Sequence, residues 1–395
     1  MPRKKTTRNA QGGGTIRQRK DGTWEGRYTV GRDPGTGKQI QKSVYGKTQK
    51  EVRQRLQQIT TAIDNGTYTD PTKATVAQWL EVWLETYTGD VKPLTKRAYS
   101  TSIKNHIIPA IGALKLDKLT PLQIQKFYNE CMNGSKNLKP KTVKNIHGVL
   151  HSALKQALMN GMIRSNPADS CTLPRIERIE IKPFDDDAEK RFLQAIDGDK
   201  YERLFVVDLY TGMRKGEILG LRWSDIDFDQ GIITISKQLQ VEPFKGGRYY
   251  LAPLKNDKDR VITPAPYVMQ ILREQRLHQN EARLLAGSEW DEGEIPGLVF
   301  TNETGRHLCH QTIGTRYKKL VTAAGLPEAR FHDLRHSYAV ASLRAGDDIK
   351  TVQGNLGHHS AAFTMDTYAH VTTQMKRESA DRMQAHIQAI KSCKG

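Results

Sequence analysis

Cysteine is scarce in this 395-residue chain: there are four, Cys131, Cys171, Cys309 and Cys393, and no CxxC pair among them. That spacing argues against a structural zinc site and a disulfide framework, and fits a reducing cytoplasm. Long apolar runs are missing as well. No stretch approaches the ~20 residues that a membrane helix needs, and the mean hydropathy is −0.63. The opening MPRKKTTRNA carries charge with no apolar core behind it, so no secretory signal is expected. These absences predict a soluble cytoplasmic protein with no membrane partner. The length predicts two or three domains.

Negative charge is in short supply, and unevenly so. The net is +18, and residues 1–60 hold 15 Lys/Arg against 4 Asp/Glu. By residue 170 the running total is +17, leaving +1 for the remainder. A cationic front half beside a balanced back half implies a polyanion gripped mainly by the front, DNA or RNA at this level of reading. A solubilising basic surface is the plainer alternative.

Residues 1–13 read as a basic flexible tail. Strand character follows at Thr15–Gln18, Trp24–Val30 and Gln39–Tyr45, separated by the Asp21-Gly22 turn signal and by Pro34-Gly35-Thr36-Gly37. Thr48 then opens a helix to about Asp64, with Val52, Leu56, Ile59 and Ile63 at helical spacing. A small three-stranded sheet backed by one helix is expected. Arg17, Arg19, Arg27, Lys38 and Lys42 are candidates for the face opposite the helix, which could enter a major groove.

From Thr75 the pattern turns helical. Val76, Trp79, Leu80, Trp83 and Leu84 form one apolar stripe, with further helices at Leu94–Ile111, Pro121–Met132 and Lys141–Asn160. Both tryptophans are expected in the core rather than as base-stacking platforms. A Pro-rich linker leads to a longer α+β unit with strands at Ile232–Ser236, Tyr249–Ala252 and Arg260–Ile262. The last two are expected to form a hairpin around Lys255–Asp259.

Polar clusters in this back half carry the chemistry. They are Thr211–Glu217, His332–Ser337, Leu356-Gly357-His358-His359 and, ten residues after His358, Tyr368, with Lys255 between the first two. His332 and His336, four apart, could share a zinc ion, with His358 as a third ligand. Arg335 would lie beside such a dication, which is electrostatically poor, so no metal is expected. The arginines support a different reading. Arg214, Arg335 and the histidines are rich in donors and nearly free of carboxylates, which suits a phosphodiester gaining charge in a five-coordinate transition state. No acidic cluster is at hand for magnesium, and no cofactor is implied. Tyr368 and Lys255 are then candidates for nucleophile and leaving-group acid. Each residue alone has an ordinary structural explanation; their joint occurrence is what points to a site.

The strings TGMRKGEILGLRW, LKNDKDRVITP, HDLRHSYA, LGHHS and TMDTYAHV, in that order across 205–371, resemble the tyrosine recombinase (phage-type integrase) signature. The unit before them is similar to that family's core-binding domain. The front sheet is similar to the arm-binding domain of conjugative-transposon and related phage integrases. The resemblance implies a multidomain, mainly α protein with α+β parts. Its expected layout is a 1–13 tail, a 14–68 arm-type DNA-binding domain, a 74–168 helical core-site domain, a 169–183 linker, a mixed α/β catalytic domain at 184–372 and a C-terminal helix at 373–395.

Carried over by position, the resemblance implies that Tyr368 attacks the scissile phosphate and forms a 3′-phosphotyrosyl link. Arg214 and Arg335 would clamp the non-bridging oxygens, and Lys255 would protonate the leaving 5′-oxygen, Lys258 being the alternative in the same segment. His332 would assist proton transfer, His358 would hydrogen-bond the phosphate, and Glu217 would steady the site from behind. His336 and His359 are read as structural. Four strand cuts imply a homotetramer on double-stranded DNA at core and arm sites. A directionality factor of the excisionase type and a host DNA-bending protein are further implied partners, with the enzyme at the bacterial nucleoid when active. Residues 374–391 form an amphipathic stripe, Met375, Ala380, Met383, Ile387 and Ile390, suited to exchange between protomers. The rivals are a non-catalytic DNA-binding protein that retains the fold, a type IB-like topoisomerase and a housekeeping resolvase of chromosome dimers.

Overall fold

The first strand pair closes on Asp21-Gly22, where Gly22 adopts φ 81° and the Arg19 N–H reaches the Thr23 carbonyl at 2.8 Å. The computed structural model describes residues 15–65, 74–135, 137–177, 182–242, 247–254, 258–357 and 369–392. Strands β1 (Thr15–Gln18), β2 (Trp24–Arg32) and β3 (Gln39–Gly46) form an antiparallel sheet in sequence order. Register sets Ile16, Gly26 and Val44 in one row and Tyr28 with Lys42 in the next on the same face. Helix α1 (Gln49–Asp64), capped by Thr48, covers that face with Val52 and Leu56. Only glycine fits at position 26, because a Cβ there would lie 2.5 Å from Leu56 Cδ1.

The helical section begins with α2 (Val76–Thr86), held by a Thr75/Gln78 capping box. Its stripe is buried: Trp79 donates its indole N–H to the Ala153 carbonyl at 2.8 Å, and Trp83 stacks on Tyr99 at 5.7 Å. These tryptophans are core, as expected. The single helix expected over Leu94–Ile111 is interrupted. It runs as α3 (Pro93–Ser102), a π-turn (Ile103–Ile107) and α4 (Ile108–Ile111). Pro109 has no N–H to continue the ladder, and the Ile108 N–H reaches back five residues to Ile103. Helices α5 (Pro121–Asn133) and α6 (Pro140–Met159) complete the section, α5 opening on a Thr120/Gln123 capping box.

By its internal contacts the chain divides into Met1–Glu177 and Arg178–Gly395. The second unit runs α7 (Asp186–Ile196), α8 (Glu202–Thr211), α9 (Lys215–Leu219), β4 (Ile226–Asp227), β5 (Ile232–Ile235), β6 (Lys237–Val241), β7 (Tyr249–Pro253) and β8 (Arg260–Ile262). It continues with α10 (Pro266–Ala286), α11 (His310–Ala323), α12 (Phe331–Arg344), α13 (Ile349–Leu356) and α14 (Ala369–Ser392). Phe192, Phe205 and Tyr317 cluster at its centre, at ring separations of 5.8–6.3 Å.

One expectation is corrected here. Strands β7 and β8 are not a hairpin with each other: β7 pairs with β6, and β8 pairs with β5. Strands β5 and β6 are the outgoing arm of a long ribbon, and β7 and β8 are its return. Ile235 faces Arg260 while Lys237 faces Pro253, so the return arm carries extra residues between Pro253 and Arg260. Leu254, the residue after β7, is buried. A turn-rich stretch between two strands marks a break in pairing without saying which ladder each strand joins. Along α14 every residue from 380 to 391 is exposed, including Met383, Ile387 and Ile390. No helix among the described residues is long and apolar enough to cross a membrane.

Candidate active site

Three chain ends converge in the second unit: the C-terminus of α8, the N-terminus of α9 and the C-terminus of α13. Helix α8 stops at Gly212, which takes φ 60°. A Cβ at 212 would come within 2.5 Å of the Tyr338 ring and 2.8 Å of Leu356, so the left-handed turn and the close approach both require glycine. Arg214 follows at the N-cap of α9. Glu217, three residues on, accepts the Arg214 backbone N–H at 2.9 Å and its guanidinium at 2.7 Å.

Arg335 projects from the second turn of α12 and is 1% exposed. Its guanidinium donates to the Gly212 carbonyl at 2.8 Å and to the Leu356 carbonyl. Arg214 donates to the Gly357 carbonyl at 3.1 Å. A third arginine, absent from the sequence reading, completes the group. Arg260 on β8 donates to the Asn355 carbonyl at 2.8 Å and straddles Glu217 with contacts of 3.1 and 2.6 Å. Its signal lay in strand alternation. In Arg260-Val261-Ile262 the outer residue is exposed and Ile262 is buried, so Arg260 shares the inward face and needs a carboxylate there. Burial opposes the charge of Glu217, but the Arg260 and Arg214 guanidiniums overcome it and hold the carboxyl down at about 2.

Beneath this group lies Asp208, fully buried, with neither carboxyl oxygen hydrogen-bonded. Burial raises its pKa well above the usual carboxylate range, the Arg335 charge opposing. His332 stands in the first turn of α12, its ring 4.9 Å from that of His336 in a T-shaped pair. Desolvation of the ring, then the charges of Arg335 and Arg214, lower the pKa of His332, favouring the neutral form that can accept a proton. His336 is 7% exposed, and burial followed by the nearby His332 lowers its pKa to about 4.

That depression links stability to pH. The unfolded chain takes up the His336 proton at 6.5 and the folded chain only near 4, so stability present above pH 6.5 is lost as pH falls across that window. The expected loss is on the order of 3 kcal/mol. Thermal melts from pH 7 to 4 should fall with acid, and His336→Gln should flatten the slope; an unchanged slope would count against this burial.

Of the residues expected at the site, the structure brings Arg214, Glu217, Arg335 and His332 together. Lys255, His358, His359 and Tyr368 lie outside the described residues. Lys258 is exposed beside β8. In the front sheet, Arg17 and Arg27 share the face away from α1, and both bond Glu25, at 2.6 and 3.0 Å. Arg19 places its guanidinium 5.4 Å above the Tyr45 ring. Lys42, by contrast, is in register with Tyr28 on the α1 side, and Lys38 sits in the turn before β3.

Comparison with known proteins agrees with this geometry. The phage integrase family model matches residues 183–375, and the phage integrase N-terminal SAM-like domain model matches 75–132. A XerC-like tyrosine recombinase of Caldanaerobacter subterraneus subsp. tengcongensis is 31% identical, over 90% of this chain and 94% of that protein. Among solved structures, the Tn1549 transposon integrase in complex with a circular intermediate DNA superposes with a TM-score of 0.67 at 25% identity, covering 78% of this chain and 100% of that one. The lambda integrase tetramer bound to a Holliday junction shares the fold, with a TM-score of 0.55 at 20% identity over 90% and 97% of the two chains. The arginine-centred site, the order of its motifs and these likenesses lead to one conclusion: the chain belongs to the phage integrase family and is a tyrosine-type site-specific recombinase, one that cuts and rejoins DNA.

Proposed function

We propose that the enzyme integrates and excises a mobile genetic element, with Tyr368 as its nucleophile. The observation that carries this reading is the convergence of Arg214 and Arg335 on the end of α13, one residue before His358, with His332 near enough to feel both charges. In the reaction the Tyr368 phenol oxygen attacks the scissile phosphorus and the 5′-oxygen leaves. One phosphodiester becomes one phosphotyrosyl ester, and a 5′-hydroxyl is freed. His332, neutral by its surroundings, takes the phenolic proton. Lys255 gives a proton to the leaving oxygen. Arg214 exchanges its Gly357 carbonyl for a non-bridging oxygen, whose fuller charge makes the stronger hydrogen bond, and Arg335 donates to the other. His358 adds another donor and Glu217 steadies Arg214. Rejoining reverses the attack with a 5′-hydroxyl from another strand and needs no ATP, because the phosphotyrosyl ester retains the bond energy.

The remaining assignments follow the same logic. Residues 14–68 take accessory arm sites and 74–168 the core site, after the basic segment 1–13, which lies outside the described residues. Residues 169–183 link to the catalytic domain 184–372. Arg17, Arg19 and Arg27 are the arm contacts best supported, since they lie on the free face of the sheet; Lys38 and Lys42 would reach DNA only at its edge. The exposed Met383, Ile387 and Ile390 of the segment 373–395 suit packing on a neighbouring protomer of a tetramer, the assembly recorded for lambda integrase. An excisionase-type factor and a host DNA-bending protein would set direction at the nucleoid.

The test is a nicked suicide substrate that traps the cleaved strand. The native chain should form a covalent adduct whose peptide maps to Tyr368. No adduct, or one on another residue, would overturn the proposal.

A further inference from the structure

Arg260 has no part in the reaction just described, yet all three of its side-chain nitrogens are engaged. Its side chain is 9% exposed, one nitrogen is on the Asn355 carbonyl, and the other two grip Glu217. Arg335 takes the next carbonyl, Leu356, and Arg214 takes the one after, Gly357. Three arginines from three elements therefore hold three successive carbonyls at the end of α13. The last carbonyls of a helix are left without partners by its own ladder and form the negative end of its dipole, so cationic donors match them. Gly357 leaves room for this: it takes φ 62°, and a Cβ there would sit 3.1 Å from Arg260 Cδ.

We propose that Arg260 is a positioning residue for strand cleavage, fixing the Glu217 carboxylate, and through it the Arg214 guanidinium, to the peptide that leads into His358; this rests on the recombinase reading above. One carboxylate is shared by two guanidiniums. Because Arg260 occupies both Glu217 oxygens and the Arg214 backbone N–H also takes Oε2, the Arg214 guanidinium bonds only Oε1 and keeps its other terminal nitrogen on a neutral carbonyl, which a phosphate can displace. Without Arg260, the carboxylate is free to engage Arg214 through both oxygens, the stronger bidentate pair, and draw it away from the phosphate.

Full-length Arg260→Gln, Arg260→Lys, Glu217→Gln and the double variant Glu217→Gln/Arg260→Gln test this on the suicide substrate. Single-turnover cleavage, DNA affinity and thermal melting are measured on each. Arg260→Gln should slow cleavage about 10- to 100-fold, with affinity changed less than about threefold. Arg260→Lys, which keeps the charge but not the fork, should recover only part of the rate. In the Glu217→Gln background, which removes the carboxylate Arg260 acts through, Arg260→Gln should add little further loss. The double variant also removes both buried charges at once, which preserves folding better than removing one. The proposal is overturned by native-rate cleavage in Arg260→Gln, by a rate loss matched by lost affinity or folding, or by losses that multiply independently in the double variant. A native chain that forms no adduct would instead overturn the recombinase reading, so the two failures are distinguishable.

Discussion

Tyr368→Phe is expected to form no covalent adduct, with cleavage reduced at least ~10⁵-fold, the scale on which removing a nucleophile acts. DNA affinity should stay within about threefold, because one phenolic oxygen is lost while the +17 front half and the arginines remain. The structure explains why four other tyrosines of the second unit are not expected to substitute. Burial raises the pKa of Tyr210, Tyr249, Tyr317 and Tyr338, leaving their phenols harder to ionise. Tyr317 is 2% exposed, and Tyr338 accepts a hydrogen bond from Asn355 at 3.0 Å. Suicide-substrate trapping beside a binding titration checks both halves. An adduct that persists in Tyr368→Phe would place the nucleophile elsewhere, and weak binding in the variant would mean that the phenol serves the fold.

What the sequence revealed were features set by neighbours in the chain. Thr48, Thr75 and Thr120 announce helix starts because a cap acts on the next few residues. The Trp79/Trp83 stripe announces its burial because four residues bring two side chains onto one face. Gly212 and Glu217 flank Arg214 closely enough for their motif to carry the local geometry. What it concealed depended on distant partners. Arg260 acquires meaning only when β8 pairs with β5 and brings it to Glu217, 43 residues away. The partnership of β7 with β6 rather than β8 is likewise a choice between ladders of similar local quality. Lys42 was misjudged by one step of strand parity, which turns a side chain from one face to the other. The π-turn was legible in principle, since Pro109 stands in the sequence and its missing N–H is a local fact.

Arg335→Ala should damage the enzyme twice over, and the two injuries can be measured apart. The first is to the fold. Arg335 is a large, fully buried side chain, and without it the Gly212 and Leu356 carbonyls both lose their donor. Each buried carbonyl left unpaired costs about 1–3 kcal/mol, so a loss of roughly 2–6 kcal/mol is expected in denaturant unfolding of the second unit. The second injury is to the chemistry. A preorganised donor aimed at a developing oxyanion contributes about 10²–10³ in rate, and Arg335 supplies a fork of two, so single-turnover cleavage should fall by at least ~10³. Arg335→Lys separates the effects. It restores the charge, but one ammonium lacks the planar fork that spans both carbonyls, so affinity should recover further than rate. If Arg335→Ala cleaved within about tenfold of the native chain, the guanidinium would be a strut between α8 and α13 and the phosphate clamp would have to be sought among other residues.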